Sequence, residues 1–587
     1  MVGDGDISGE GNGAVPAGEA EMVGFEAPNL AALMFDRAAR WGGRAMLREH
    51  VERDQWRRLT WFEFARAAAS LARHLRQAGV AAGDRVLIVS ENRKEVPIAE
   101  VALMAIRAVP VPAYTTNTVA DHAHVLRDSG ARVAIVSTAA LAARVALAAS
   151  AVSGGHLDRL ITIEAFEVQG VPTLSWARLV ADDLPPDDIA AEAAMIPATT
   201  LACLIYTSGT GGEPKGVMLA HRSILANCRG ALPVVRRLGL RDDEVYLSFL
   251  PVSHAFEHTV GQFFFPALGV EIAYARGVEF LAADMLAVQP TLMTMVPRVL
   301  ELIRGRILAA VARERAAKRA LFGAAMAAGY RALDGRATWL DRLLDPLWER
   351  RVRRRLRARF GGRFRAAVSG GARLDPEVGR FFLAIGLTLL QGYGQTEAGP
   401  VISVNPPEAT RIATVGRVLD GVELRIAEDG EIMVRGELVM DGYWGRPEET
   451  AQVLRDGWLA TGDIGVLDAD GYLTITDRKK DMIVLSGGEN VSPARIEGML
   501  IAEPAIAQAM VAGEGRAGLV ALVVAAEGHD AAAVAAAVSE VNRRLAVVER
   551  IRRHKVVAPF TLENGQLTVT QKVRRHIVAA AYAAELG

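Results

Sequence analysis

The chain has 587 residues, room for about four domains of ordinary size, and its 51% hydrophobic against 23% charged residues exclude a disordered or fibrous polypeptide. Its formal net charge of -1 leaves no global field to draw it to nucleic acid. Only two cysteines occur, Cys203 and Cys228, and neither belongs to a CxxC pair, which excludes a disulfide framework or a cysteine zinc site and reads both as small buried hydrophobes.

Residues 1–24 are rich in Gly, Glu and Asp without periodicity and predict a disordered tail. Asp4, Asp6 and Glu10 stand where a secretory leader would need a basic start. No stretch reaches the roughly 18 uninterrupted apolar residues of a membrane span, and the apolar tract at 263–270 is closed off by Gln262 and Glu271. The expected location is cytoplasmic, at most touching a membrane surface. From residue 25 short apolar runs alternate with amphipathic ones. In chain order these are a helix-like stretch at 61–78, a strand at 85–90 (RVLIVS), a helix at 99–108 and a strand at 132–137 (RVAIVS). An Ala-rich helix at 139–151 follows, then strands at 160–164 (LITIE), 201–206 (LACLIY) and 365–369 (RAAVS). Such alternation predicts an α/β fold with largely parallel sheets. The charged cluster DRKKD at 477–481 interrupts the pattern, and the α/β stretch after it, with the apolar run LVALVVA at 519–525, reads as a second, smaller domain.

The sharpest local feature is YTSGTGGEPKG at 206–216, which follows a strand-like run and sets four glycines and three aliphatic hydroxyls around Lys215. Glycines let backbone N–H groups turn inward around an anion, hydroxyls add donors, and the ammonium adds charge. A Walker A loop would need Ser or Thr after Gly-Lys; here Pro214 precedes Lys215 and Gly216 follows it, which counts against a P-loop NTPase. Farther on come FLPVSHAFEHT at 249–259, SGGA at 369–372, QGYGQTE at 391–397, WLATGD at 458–463, SGGEN at 486–490, SPARIE at 492–497 and NGQLTVTQKVRR at 564–575. Tyr393 offers a flat face to a purine, Glu397 is a hard oxygen ligand suited to magnesium on phosphates, and Asp463 could accept both hydroxyls of a ribose.

Taken in order, these segments resemble the adenylate-forming superfamily of acyl-CoA synthetases, luciferases and peptide-synthetase adenylation domains, over nearly the whole chain from about residue 25. The FLPVSHAFE segment, IAY at 272–274, VPR at 296–298 and a basic helical insertion near 305–360 are similar to the long-chain fatty acid–CoA ligase branch. The resemblance implies a large N-terminal domain of layered α/β subdomains (25–479) and a small mobile C-terminal α/β domain (480–587). It implies ATP contacts from Thr207, Ser208, Gly209, Thr210, Gly211, Lys215, Gly371, Gln391, Gly392, Tyr393, Asp463 and Arg478, with Thr396 at the α-phosphate and Mg2+ on Glu397 and Thr207. His254 and Phe256 would line the acyl-carboxylate site; Gly487, Gly488 and Glu489 would face the coenzyme A channel; Lys480 would be the hinge and Lys572 the catalytic lysine. The chain departs from the family loop at Gly211, where the second of two paired threonines normally stands; this removes one hydroxyl donor and keeps the backbone N–H.

The function implied is activation of a fatty acid by ATP to an acyl-adenylate, with pyrophosphate released, then transfer to coenzyme A. Two alternatives share parts of this pattern: a fatty acyl-AMP ligase that loads a carrier-protein phosphopantetheine, and a non-catalytic acyl or nucleotide binder, toward which only Gly211 points. The segment 344–360 (LDPLWERRVRRRLRARF) repeats Leu344, Trp348, Val352, Leu356 and Phe360 every four residues as an apolar helical face, with seven arginines on the remainder. Between Arg304 and Arg365 stand eighteen basic residues against five acidic ones, so peripheral contact with an anionic membrane is expected.

Overall fold

The computed structural model describes residues 24–52, 55–152, 157–207, 213–487, 489–567 and 573–586. The tail expected at 1–24 therefore lies outside the described residues, save for Gly24.

Three sheets carry most of the chain up to residue 478. A five-stranded, all-parallel sheet runs Val109–Ala113, Arg85–Val89, Val133–Val136, Arg159–Thr162, Thr173–Ser175 in spatial order. Its inner strands are continuous apolar runs because helices such as Glu95–Ala105 and Ala139–Ser150 accompany them. A nine-stranded sheet has six parallel strands at its centre: Thr388–Tyr393, Ala366–Ser369, Leu292–Met295, Val245–Ser248, Glu271–Tyr274 and Ala45–Glu52. Its edges are antiparallel. The third sheet, built around Trp458–Leu467, pairs that strand with Leu473–Arg478. Local sequence sets the helix starts: Thr60 with Glu63, Thr118 with Asp121 and Thr338 with Asp341 form reciprocal capping boxes, each worth about 1 kcal/mol.

The structure adjusts several expectations. The strand Val109–Ala113 (VPVPA) was not anticipated, because two prolines argue against a strand interior. It survives as an edge: Val109 donates its N–H to Asp84, and the alternating Pro110 and Pro112 have no N–H to lose on the other side. The helix expected at 99–108 runs from Glu95 to Ala105 and is ended by Arg107 in the left-handed region at φ 59°. In the basic segment, Trp348, Val352, Leu356 and Phe360 are buried as expected, but Leu344 is exposed. Each i+4 step overshoots a helical turn by about 40°, so the far end of the stripe drifts off the buried side. The helix also loosens to i→i−5 bonding over Glu349–Arg353.

After residue 482 two apolar clusters draw only on C-terminal residues, one from Ile483 to Val556 and one from Met510 to Leu586. They sit on both faces of a sheet formed by Ile506–Ala512, Leu519–Ala525 and Ile551–Val556.

Candidate active site

Two neighbouring parallel strands, Ala366–Ser369 and Thr388–Tyr393, deliver SGGA and QGYGQTE to the carboxyl end of the large sheet, where open α/β sheets place their ligands. Ser369 pairs with Gln391 in register. Ser369 Oγ and Gln391 Oε1 are both buried without a hydrogen-bond partner among the described residues, which leaves donors and acceptors free for a bound group. Gly371 follows at φ 79°, a conformation that favours glycine. A Cβ on Gly394 would lie 1.9 Å from the Pro400 carbonyl oxygen, so the turn after Tyr393 admits only glycine.

Asp463 and Arg478 are opposite one another on paired strands. Buried Asp463 accepts from the Tyr393 hydroxyl at 2.7 Å and meets Arg478 Nε at 2.9 Å. Burial, and then the Asp463 charge, push the Tyr393 phenol well above its usual pKa, so it stays a donor. Glu397 stands in the short helix Thr396–Ala398 and accepts from the Tyr443 hydroxyl at 3.0 Å.

The two strands that flank the glycine-rich segment in sequence, Leu201–Thr207 and Lys215–Ala220, pair antiparallel, and Thr207 faces Lys215. A strand, not a helix, follows the loop, a second departure from P-loop architecture. Lys215 Nζ lies 4.7 Å over the Tyr443 ring and is ion-paired with Glu449. That lysine and then Arg446 hold the Glu449 carboxyl below the usual range. Tyr443 thus joins the hairpin to Glu397. Sequence reasoning missed Tyr443 and Glu449; they sit in DGYWGRPEET at 441–450, where only aromatic and acidic residues so near a glycine pair offered a signal.

On the acyl side, His254 caps the helix Ala255–Thr259, its Nδ1 accepting from the Phe256 N–H at 3.2 Å. Phe256 approaches Gly370, where an added Cβ would come within 3.4 Å of the ring and 3.9 Å of the Gly392 carbonyl. Phe256 also lines a narrow apolar cavity of about 60 Å3. Its walls come from the helix His221–Arg236 (Cys228, Ala231, Val235), from Val260 and Phe264, and from the sheet (Leu292, Ala366, Val368, Leu390). Beside it a second unanticipated group is fully buried: Glu257 accepts from Tyr246 at 2.7 Å and from Thr294 at 2.8 Å, and burial raises its carboxyl to about 7. Gly261 makes room for it, since a Cβ there would lie 2.3 Å from Glu257 Oε1.

Thr207, Lys215, Gly371, Gln391, Gly392, Tyr393, Thr396, Glu397, Asp463, Arg478, His254 and Phe256 therefore fall on one linked set of elements. Lys480 is exposed in the turn directly after Leu473–Arg478. Gly487 and Glu489 are exposed in the turn of the Ile483–Val484/Asn490–Val491 hairpin, and among the described residues no hydrogen bond or ion pair joins them to the cluster. Ser208, Gly209, Thr210, Gly211, Gly488 and Lys572 lie outside the described residues.

No group of three or more His, Cys, Asp or Glu suited to a metal occurs among the described residues. A lone carboxylate at Glu397, beside a hydroxyl-bearing hairpin, fits a magnesium ion held largely through phosphate oxygens and water.

The sequence profile of the AMP-binding enzyme family matches residues 34–444, and that of the AMP-binding enzyme C-terminal domain matches 480–587. The chain is 36% identical over 475 residues to a long-chain-fatty-acid–CoA ligase of Mycobacterium bovis, covering 80% of this chain and 77% of that protein. It is 31% identical over 524 residues to long chain acyl-CoA synthetase 1 of Arabidopsis thaliana, covering 82% and 76%. Among solved structures it is similar to O-succinylbenzoate coenzyme A synthetase from Bacillus subtilis in complex with ATP and magnesium ion, with TM-score 0.69, 22% identity and coverage of 93% and 98%.

Proposed function

The chain belongs to the AMP-binding enzyme family, and from that premise we infer that it is an ATP-dependent long-chain fatty acid–CoA ligase. One observation carries this reading. The Tyr393–Asp463–Arg478 cluster and the mouth of the apolar cavity meet at Gly370, Gly392 and Phe256, so a nucleotide phosphate and an acyl carboxylate would share one point.

A carboxylate is a poor acyl donor because its leaving group would be oxide. In the first step a carboxylate oxygen attacks the α-phosphorus of ATP, the bond to the bridging oxygen breaks, and pyrophosphate departs. Both reactants are anionic, so fixed positive charge and donors must offset their repulsion. We assign Asp463 and Arg478 to the ribose, Tyr393 to stacking on adenine, Gln391, Gly392 and Gly371 to the nucleotide pocket, and Thr396 to the α-phosphate. Lys215 leaves Glu449 for the departing phosphates, together with Thr207, Ser208, Gly209, Thr210 and Gly211. Glu397, with Thr207, would hold magnesium, which neutralises phosphate charge. His254 and Phe256 set the carboxylate at the cavity mouth. In the second step the thiol sulfur of coenzyme A attacks the acyl carbon, the bond to the AMP oxygen breaks, and the thiol proton passes to solvent.

We assign Lys572 to the first step only, and Gly487, Gly488 and Glu489 to the coenzyme A channel, with the C-terminal domain (480–587) turning about Lys480 between steps. Lys572→Ala should then lower carboxylate-dependent ATP–pyrophosphate exchange by about 10²–10³ and leave thioester formation from supplied acyl-adenylate intact. Equal damage to both halves would refute the assignment.

No helix among the described residues is long and apolar enough to cross a membrane. We place the enzyme in the cytoplasm, held reversibly on anionic membrane by its arginine-rich segment, where its amphiphilic substrates reside.

A further inference from the structure

The helix Trp339–Trp348 presents two unlike sides. Asp341 and Trp348 face inward, Asp341 paired with Arg331 and closing the capping box with Thr338. On the outward side stand Trp339, Leu340, Leu343, Leu344 and Leu347, at the i, i+1, i+4, i+5, i+8 spacing of one helical face. All five are exposed, Trp339 by 72% and Leu343 by 66%. Single exposed leucines are ordinary, but five large apolar side chains gathered on one face mark an interaction surface. The helix is held in place from both ends. The capping box fixes its start, and Trp348, Val352, Leu356 and Phe360 anchor its continuation in the core.

Basic residues accompany this face. Arg342 lies on the same helix, and Arg350, Arg351, Arg354 and Arg355 follow on the next turns, all exposed and without an ion pair among the described residues. Arg353 and Arg357, two of the seven arginines of the 344–360 segment, are instead occupied. Arg353 pairs with Asp345, and Arg357 pairs with Glu349 while donating to the Ile385 carbonyl at 2.9 Å. These free arginines are therefore Arg342 and four of the seven in the 344–360 segment.

We propose that the Trp339–Leu347 face inserts into the interfacial layer of an anionic bilayer, its leucines at the acyl boundary, Trp339 at headgroup depth and the free arginines on lipid phosphates. Charge complementarity favours this occupant. A second copy docked across a two-fold axis would bring both arginine sets together. The proposal deepens the membrane contact described above and rests on it: the arginines alone give attachment at the surface, and the apolar face adds insertion.

Cys203 and Cys228 are both buried, so Leu343→Cys in the full-length protein takes a polarity-sensitive fluorophore at one place. With phosphatidylglycerol–phosphatidylcholine vesicles the label should shift to the blue and be quenched by lipids carrying a quencher near the headgroup. Leu340→Ser/Leu343→Ser/Leu344→Ser/Leu347→Ser should weaken vesicle binding at least about tenfold at unchanged charge, while acyl-CoA formation from a water-soluble short acid persists and shows the variant folded. If the protein sediments with these vesicles but the label remains aqueous, surface attachment stands and insertion is overturned. Absence of sedimentation at low salt overturns both. A concentration-dependent shift without vesicles would give the face to a second copy and also overturn the proposal.

Discussion

Around Asp463 every contact is polar and comes from short runs: Tyr393 in QGYGQTE, Arg478 in DRKKD, and Asp463 itself in WLATGD. Around the cavity lined by Phe256 the walls are almost wholly apolar and come from positions scattered between Asn227 and Val404. The contrast shows how differently the two halves of one site are specified. A charge-assisted hydrogen bond depends on one atom in one place and contributes about 1.5–3 kcal/mol. An apolar wall is a sum of small contacts, and hydrophobic substitutions that keep its volume change little. Damage at the nucleotide end should be large and independent of the acid; damage at the acyl end should be smaller and depend on chain length.

Asp463→Ala gives the largest expected effect. It removes the acceptor shared by Tyr393 and Arg478, and kcat/KM for ATP should fall by about 10²–10⁴, two charge-assisted bonds' worth. The loss should be the same for short and long acids. A loss that varied with chain length would break the division between the two ends.

The second test uses the sheet as a ruler. Val368 and Ala366 both line the cavity because alternate strand residues share a face. Ala366 sits three residues before Ser369, roughly 10 Å deeper at strand rise. Ala366→Leu should lower kcat/KM for long acids by about 10- to 100-fold and spare acids whose chains end above it, as read from acyl-CoA release across a fatty-acid panel. Equal loss for all lengths would remove Ala366 from the chain's path.

The third test reads stability, not activity, and concerns Glu257, a buried polar group beside the apolar walls. Its carboxyl lies near 7 when folded, against an ordinary 4.5, because burial disfavours the charged form. Below about pH 4.5 the acid is neutral in both states and its burial costs nothing on this account. As pH rises the unfolded chain releases the proton first, and stability is lost progressively until about pH 7. The total is on the order of 3 kcal/mol. Glu257→Gln should flatten that part of the urea-denaturation profile and be the more stable form at pH 8. An unchanged slope between pH 5 and 7 would mean that Glu257 does not titrate there.

The same contrast explains what was legible in the sequence. The alternating runs foretold parallel sheets because fully buried strands such as Arg85–Val89 are unbroken apolar stretches. The residues proposed to bind nucleotide were legible because each occupies a short, chemically specific run. The cavity walls were not, since Ala231, Val235 and Leu292 differ in no local way from any other core residue. Nor was the outward face of Trp339–Trp348, because periodicity shows that a helix is amphipathic without showing which stripe the core takes. The repeat from Leu344 to Phe360 pointed to one stripe, and the fold buries it only from Trp348 onward. Glu449 and Tyr443 gain meaning only once the strand Gly442–Tyr443 pairs with the Lys215 hairpin.

The account's central claim is that a fatty-acid carboxylate attacks the α-phosphorus of ATP before coenzyme A receives the acyl group. Turnover of a long-chain acid labelled with oxygen-18 in its carboxylate, with ATP, magnesium and coenzyme A, tests this directly by mass spectrometry of the nucleotide. One labelled oxygen should appear in AMP for each acyl-CoA formed. Unlabelled AMP, or ADP carrying no label beside labelled inorganic phosphate, would contradict it.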